Sequence, residues 1–270
     1  MIRLDADIVR AARQGDRAAL ASVVSAVEQP VFGLAIRMLA NRADAEDATQ
    51  EILVKIITHL GTLQDDGAAG GWALKIASRH LVAIRKRGRV EAMRMSFHDF
   101  AEDLETGLDQ SAVTQMDDVV TAVAIEEIKI GCTLAMLTCL KRNSRIAYIL
   151  GDIFEMTDSE ASEVLQIAPA TYRQQLRRAR AEVTQFLQKT CGNVSTHATC
   201  RCEKRLNAAQ ANGRVVPGKP AFGLERPPID LKVLRRRVRA LEEGRRAATL
   251  MRSNPAFPSN VGAAVLEAIK

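Results

Sequence analysis

Apolar residues recur at three- and four-residue steps along most of the chain, and convincing runs of alternating apolar and polar residues are absent. The first spacing is that of one face of an α-helix, whereas alternation is typical of a half-buried strand. The pattern predicts helical segments over 7–39, 41–60 and 72–87, and again from about 121 to 188. We therefore predict an all-α protein.

Two breaks within the last of these segments define a helix, a short turn and a longer helix. The stretch FEMTDSEASEVL offers Thr157 or Asp158 as an N-cap, and Glu160 would complete a capping box with Thr157. The stretch QIAPAT places Pro169 at the start of the next helix, where its missing N–H has little cost. This arrangement predicts a helix-turn-helix.

Charge is distributed unevenly, although 38 basic and 32 acidic residues give a net charge of only +6. Residues 85–94 carry five basic groups, and residues 95–128 carry nine acids and no lysine or arginine. An acidic block with few large apolar residues is typical of a flexible linker. We predict a helical domain over 1–90, a flexible acidic linker over 91–124, a second helical domain over 125–190 and a partly helical C-terminal extension over 191–270.

The N-terminal stretch MIRLDADIVRAARQGD is charged throughout and lacks the apolar core of a signal peptide. No apolar run approaches the roughly eighteen uninterrupted residues that span a bilayer. We therefore expect a cytoplasmic protein without membrane insertion. The five cysteines are an odd count in a long chain, so a disulfide scaffold is not expected.

The second helix of the predicted motif, ATYRQQLRRAR, carries four arginines and no acid. Tyr172, Leu176 and Ala179 are predicted to face inward, which leaves the arginines and glutamines outside. The N-terminal part of such a helix enters the major groove, where arginine pairs with guanine and glutamine with adenine. A solvated surface helix is the alternative, but the preceding helix and turn favour a DNA-reading helix.

The stretch RADAEDATQEILVKI is a second candidate site. Four of its side chains share one helical face, namely Asp47, Gln50, Glu51 and Val54, and Ile52 and Ile56 lie on another. Pattern alone favours an ordinary amphipathic helix with an acidic first turn. The functional alternative is a surface that docks a protein partner.

Three stretches together resemble bacterial sigma-70 superfamily factors of the compact extracytoplasmic-function branch. Asn41–Ile57 resembles the region that grips the RNA polymerase clamp, and its DAEDATQE segment is the most specific part. Gly71–Arg87 is similar to the adjoining helix that handles the promoter −10 element. Arg142–Leu187 resembles the helix-turn-helix that binds the −35 element. The resemblance covers roughly residues 5–88 and 125–188.

The resemblance implies a transcription initiation factor that binds core RNA polymerase and promoter DNA, is not an enzyme and requires no cofactor. An anti-sigma factor is the implied regulator, and the long tail could replace it. Polymerase binding is assigned by the resemblance to Asp47, Gln50 and Glu51. Contacts with DNA are assigned to side chains of the −10 helix and the −35 helix, namely Trp72, Arg79, His80, Arg85, Lys86, Arg87, Arg173, Gln174, Gln175, Arg177 and Arg178.

Three positions depart from the pattern of this branch. Arg79 stands where an asparagine is usual, Gln166 stands where the turn usually has glycine, and Gln175 stands where a basic residue is frequent. We expect these changes to alter promoter preference or to weaken DNA binding without disturbing the helices.

Two other function classes remain open on the sequence. A helix-turn-helix regulator could bind an operator without polymerase, but it would not need the acidic stretch Asp44–Glu51. A protein-interaction module, such as a zinc- or redox-sensing adaptor, would carry its arginines only as surface charge.

The tail begins with the segment CGNVSTHATCRC. Three sulfurs and an imidazole could form a tetrahedral zinc site from Cys191, His197, Cys200 and Cys202. Their spacing differs from paired Cys-x-x-Cys knuckles, so a reversible redox pair and the absence of special chemistry stay open as alternatives. Residues 201–252 carry fourteen basic and five acidic groups, and 231–243 has an amphipathic helical pattern. We hypothesise that this tail regulates the two domains.

Overall fold

A computed structural model of the protein describes residues 2–84, 95–108, 119–216, 218–223, 227 and 229–268. Regular structure in these residues is helical, and an isolated bridge between Cys191 and Cys200 is the one extended pairing recorded there. The all-α prediction is confirmed. In chain order the α-helices are α1 (Ala6–Arg13), α2 (Arg17–Leu39), α3 (Arg42–His59), α4 (Ala69–Ala83), α5 (Phe97–Thr106), α6 (Val119–Cys139), α7 (Arg142–Tyr148), α8 (Asp158–Leu165), α9 (Pro169–Thr190), α10 (Leu206–Ala211), α11 (Leu231–Arg239), α12 (Glu243–Arg252) and α13 (Val261–Ala268).

These helices form two compact units. The first contains the described residues of Met1–Ala92, Arg142–Leu176 and Ala256–Lys270, and the second contains those of Met93–Lys141 and Arg177–Pro255. The units follow packing rather than chain order, because α7, α8, the start of α9 and the end of the tail pack with the N-terminal helices, whereas α9 from Arg177 onward belongs to the second unit. They differ for this reason from the domain bounds predicted from sequence, which stay a prediction.

Helix α2 is the central helix of the first unit and packs against α1, α3, α4, α7 and α13. Every residue from Val31 to Met38 is buried, including the aliphatic stem of Arg37. By length and apolar composition, α2 is also the one helix in the described part of the chain that could cross a membrane. Because other helices cover α2 on several sides, its apolar composition is explained by its place in the core.

Helix α5 lies inside the segment predicted to be a flexible linker. Ser96 and Asp99 form a capping box at its N-terminus. Phe100 and Leu104, four residues apart, are buried in the second unit, and Phe100 stacks on Phe186 with ring centroids 5.4 Å apart. The linker prediction is therefore wrong for residues 97–106, where two apolar residues on one face are enough to pack an otherwise acidic helix.

The tail contributes to both units. The predicted helix over 231–243 is present as Leu231–Arg239, and its apolar stripe is buried in the second unit. Near the C-terminus, the Ser259 hydroxyl donates to a carboxylate oxygen of Glu28 at 2.7 Å, and the Arg42 guanidinium donates to the carbonyl of Pro258 at 2.9 Å. These contacts hold α13 against α2 and α3 in the first unit.

Candidate functional site

Helix α3 has one exposed face and one buried face. The exposed face contains the four side chains that the pattern grouped together, namely Asp47, Gln50, Glu51 and Val54. Val54 is 39% exposed, which is high for a large apolar side chain. Ile52 and Ile56, on the opposite face, are buried in the first unit. Asn41 caps the N-terminus of the helix, and its side-chain oxygen accepts a hydrogen bond from the Asp44 N–H at 3.0 Å.

His80 of α4 is held against α3. The Lys55 ammonium donates to His80 Nδ1 at 2.6 Å, and His80 Nε2 lies 3.7 Å from a carboxylate oxygen of Glu51. Burial, and then the nearby Lys55 charge, lower the pKa of His80 against the opposing effect of Glu51. The ring is therefore neutral at pH 7, with its hydrogen on Nε2. Only 9% of the side chain is exposed, so His80 links two helices rather than projecting toward a ligand.

The other residues predicted on the −10 helix lie in different environments. Trp72 is half-buried and packs against an apolar cluster that includes Val9, Val23 and Leu63. Arg79 is exposed. The predicted basic end of this helix, Arg85, Lys86 and Arg87, lies outside the described residues.

Helix α8, the first helix of the helix-turn-helix, packs along α4 within the first unit. A groove of about 480 Å³ between them is bordered by Lys75 on one side and by Glu160 and Glu163 on the other. A second groove, of about 300 Å³, is bordered by Arg79 and Gln175. In this arrangement the two elements predicted to contact DNA face each other.

Two arginines of α7 were missed by the sequence analysis. The Arg142 guanidinium donates to the carbonyl of Val82 at 2.9 Å and also to that of Ile84, where α4 ends. Arg145, three residues later, is buried and donates to the carbonyl of Met38 near the end of α2. Their sequence context, a charged segment before an apolar run, carries no signal that distinguishes such contacts from ordinary surface charge.

The helix-turn-helix forms where it was predicted. Thr157 and Glu160 make the expected capping box, and α9 begins at Pro169. Between the helices, Gln166 adopts a left-handed conformation with φ of 54°. Glycine adopts this conformation without the steric cost that a side chain brings. The sequence departure at Gln166 therefore falls on the one residue of the turn that favours glycine.

Helix α9 separates its faces as predicted. Tyr172, Leu176 and Ala179 are buried, and the Tyr172 hydroxyl donates to the Ala147 carbonyl at 3.3 Å. Gln175 is half-buried beside the groove described above. The remaining predicted DNA contacts are exposed, namely Arg173, Gln174, Arg177 and Arg178.

Of the predicted zinc ligands, the three cysteines of the tail line one pocket, but His197 does not join them. Among the residues that the structure describes, no three histidine, cysteine or acidic side chains are grouped as a metal ion requires. His197 is exposed, while Cys191, Cys200 and Cys202 line a pocket of the second unit. A loop that turns the imidazole outward and the sulfurs inward separates the two kinds of ligand.

The comparisons with known proteins agree with this geometry. The family model of Sigma-70 region 2 matches residues 23–90, and that of Sigma-70, region 4 matches residues 130–183. The chain belongs to the extracytoplasmic-function branch of the sigma-70 family. The first match contains α3 and α4, the second contains the helix-turn-helix, and the tail lies beyond both.

Bacterial sigma factors align with about two thirds of the chain. The RNA polymerase sigma-H factor of Pseudomonas aeruginosa is 27% identical over 189 residues, which are 68% of this chain and 94% of that protein. The ECF RNA polymerase sigma factor SigE of Mycolicibacterium smegmatis is 29% identical over 189 residues, 68% of each. SigW of Bacillus subtilis is 22% identical over 182 residues, 67% of this chain and 95% of that protein. The chain is thus a sigma factor, a family of polymerase subunits that recognise promoters and are not themselves enzymes.

Proposed function

We propose that this sigma factor binds core RNA polymerase through the exposed face of α3 and recognises the −35 element through α9 and the −10 element through α4. The observation that carries the proposal is the exposed group of Asp47, Gln50, Glu51 and Val54. Three polar side chains around one apolar side chain make a surface suited to a protein partner. A regulator that binds an operator alone would not need such a surface.

The DNA contacts have different roles in this proposal. Arg173 and Gln174, in the first turns of α9, are suited to base edges, and Arg177 and Arg178 to phosphates. In the −10 region, Arg79 is the exposed side chain, and the cationic end with Arg85, Lys86 and Arg87 would neutralise the DNA backbone. Trp72 and Gln175 would act beside them, and His80 would act indirectly by fixing α4 to α3.

The distance between the two promoter elements requires a change in how α8 and α4 are arranged. Elements centred roughly 25 base pairs apart are separated by about 85 Å of duplex at 3.4 Å per pair. In the first unit α8 packs along α4, so α9 and α4 cannot reach both elements at once in this arrangement. Promoter recognition therefore requires α8 to move away from α4. Binding to polymerase is a step that could supply the necessary energy.

Polymerase binding is tested by a pull-down with purified core enzyme and by run-off transcription. We expect the triple change of Asp47, Gln50 and Glu51 to alanine to weaken binding at least tenfold, because these positions form the centre of the docking face. Glu105→Ala removes an exposed acid from α5 and serves as a matched control. Wild-type protein that binds no core enzyme but still binds a DNA operator would establish the operator-binding alternative instead.

We also propose that the tail regulates the sigma factor, alongside regulation by an anti-sigma factor. The protein is expected to act in the cytoplasm. A contact on α2 supports the tail as regulator: a side chain at Gly262 would overlap the Glu28 carboxylate and come within 3.1 Å of Val24. Gly262→Val should displace α13 and change promoter-specific transcription. Gly244→Val is the control, because open space surrounds Gly244. Transcription unchanged both by Gly262→Val and by deletion of residues 191–270 would contradict this role.

Zinc binding by the tail cysteines stays a prediction.

A further inference from the structure

Cys191 and Cys200 are paired by the backbone. Cys191 directly follows α9, and it forms an isolated parallel bridge with Cys200. The Gly192 N–H donates to the Cys200 carbonyl at 2.9 Å. Bridged chain segments lie about 4.7–4.9 Å apart, and disulfides join Cα atoms about 4.4–6.8 Å apart. The two cysteines therefore lie at a separation that a disulfide can span.

The glycine between them makes this approach possible. A Cβ atom at Gly192 would overlap the Arg201 guanidinium and lie 2.6 Å from the Cys200 carbonyl oxygen. That guanidinium also donates to the Cys200 carbonyl at 2.9 Å. A larger residue at this position would push the two segments apart, so the local sequence holds Cys191 beside Cys200.

The thiols of the pair line the same pocket. Cys191, Cys200, Cys202 and Cys132 line a cavity of about 360 Å³ in the second unit. Its wall is otherwise largely apolar, with Phe100 among the lining residues. All four cysteines are free thiols in the structure. The space is large compared with the roughly 30 Å³ that one water occupies in the liquid, so a small uncharged oxidant fits beside the sulfurs.

Burial keeps these thiols protonated. Burial raises the pKa of Cys200 to about 11, and it also raises the pKa of Cys191, against the opposing charges of Arg201 and Arg235. Thiolates are the nucleophiles of thiol chemistry, so both groups react slowly with weak electrophiles. A hydroperoxide also reacts with the thiolate, so oxidation of this pair is slow and requires a high peroxide concentration.

We propose that Cys191 and Cys200 form a reversible disulfide when the protein meets a hydroperoxide. One sulfur attacks the peroxide oxygen as the O–O bond breaks, which gives a sulfenic acid and releases water or an alcohol. The second thiol then attacks that sulfur, forms the S–S bond and releases water. In sum, two thiols and one hydroperoxide give one disulfide, one water and one water or alcohol. A dithiol reductant reverses the reaction by exchange.

Tryptic peptide mapping tests this pairing without ambiguity. Cleavage after Lys189 and Arg201 places Cys191 and Cys200 in one peptide, while Cys202 lies in the next peptide and Cys132 lies with Cys139 between Lys129 and Lys141. The full-length reduced protein is treated with hydrogen peroxide, quenched with an alkylating reagent and mapped by mass spectrometry. We expect peptide 190–201 to lose two hydrogens and to escape alkylation, and dithiothreitol to restore both thiols.

Cysteine-to-serine variants identify which two residues form the disulfide. Cys200→Ser and Cys191→Ser should each abolish the two-hydrogen loss, whereas Cys139→Ser, whose sulfur is not among the cavity-lining residues, should leave it unchanged. A cross-link from peptide 190–201 to the peptide of Cys202 or Cys132 would overturn the proposal. Oxygen addition without two-hydrogen loss in the wild type would overturn it as well. These readouts need no polymerase, so they stand or fall separately from the proposed function.

Discussion

The guanidinium of Arg145 on α7 donates a hydrogen bond to the backbone carbonyl of Met38, near the C-terminal end of α2. Only 2% of Arg145 is exposed, so its charge depends on protein acceptors rather than water. The end of a helix is a favourable place for a cation, because its last carbonyls lack partners within the helix and carry partial negative charge. Arg145 therefore joins α7, which precedes the helix-turn-helix, to the core helix of the first unit.

Replacing this buried arginine should destabilise the protein. Arg145→Met keeps the apolar stem but removes the charged hydrogen bond, and we expect the free energy of unfolding to fall by about 2–3 kcal/mol. Urea denaturation followed by circular dichroism measures the change. Arg178→Met, at an exposed position, should shift stability by no more than about 0.5 kcal/mol. Equal free energies of unfolding for the two variants would show that the Met38 contact makes no net contribution to stability.

The turn of the helix-turn-helix contains a residue that glycine should improve. Gln166 has a φ of 54°, a conformation that costs a side chain about 1 kcal/mol. We expect Gln166→Gly to raise the free energy of unfolding by about that amount. Glu163→Gly, in the preceding helix, should lower it by a similar amount, because glycine is a poor helix former. A destabilised Gln166→Gly would mean that contacts of the glutamine side chain outweigh the backbone strain.

Local features of the fold could be read from the sequence because each depends on neighbouring residues. The capping box of Thr157 and Glu160, the helix start at Pro169 and the inward face of α9 all follow from spacing within one or two turns. The same holds for the exposed face of α3. Periodicity fixes which side chains share a face, and composition indicates which face is buried.

Features that depend on distant partners could not be read in this way. Asp103 was counted only as one more acid of a linker, but its carboxylate accepts two hydrogen bonds from Arg214, each at 2.8 Å. These residues are more than one hundred positions apart, and neither has a distinctive local context. The family resemblance places His80 among the DNA contacts but carries no information about Lys55, on a different helix, whose ammonium holds the His80 ring.

The contact between Asp103 and Arg214 should contribute stability that depends on pH. Hydrogen bonds from Arg214, with its charge and that of Arg205, lower the pKa of Asp103 below its ordinary 3.8. The folded state thus favours the carboxylate, so this stability is present at pH 7 and is lost as the pH falls through the lowered pKa. Asp103→Asn should cost about 1 kcal/mol at pH 7 and nothing near pH 2. Denaturation of both proteins across this range, with Glu105→Gln as control, measures the difference.

Glu126 on α6 should show the opposite dependence. Its side chain is fully buried and lies 2.7 Å from the Lys129 ammonium. Burial raises the pKa of Glu126 above its ordinary 4.5, more than Lys129 lowers it. Above pH 4.5 the unfolded state therefore loses a proton that the folded state retains, and the free energy of unfolding falls as the pH rises.

Comparison with a neutral variant isolates this effect. The stability of the wild type minus that of Glu126→Gln should decrease as the pH rises from about 4 toward neutrality, since glutamine does not titrate. Glu102→Gln, at an exposed position of α5, provides the control. A difference that is constant with pH would show that Lys129 balances the burial of the carboxylate.

Salt dependence should separate the two kinds of arginine on α9. If Arg178 neutralises one phosphate, Arg178→Ala should weaken promoter binding by the holoenzyme on every sequence. It should also reduce, by about 0.9, the slope of the logarithm of the association constant against the logarithm of salt concentration. Arg173 stands earlier on the helix, where side chains reach base edges. Arg173→Ala should instead cost about 1–3 kcal/mol on the cognate −35 sequence and little on altered ones. Fluorescence anisotropy with promoter DNA at several salt concentrations measures both quantities. Identical behaviour of the two variants would contradict the assignment of Arg173 to base recognition, because a purely electrostatic contact cannot distinguish sequences.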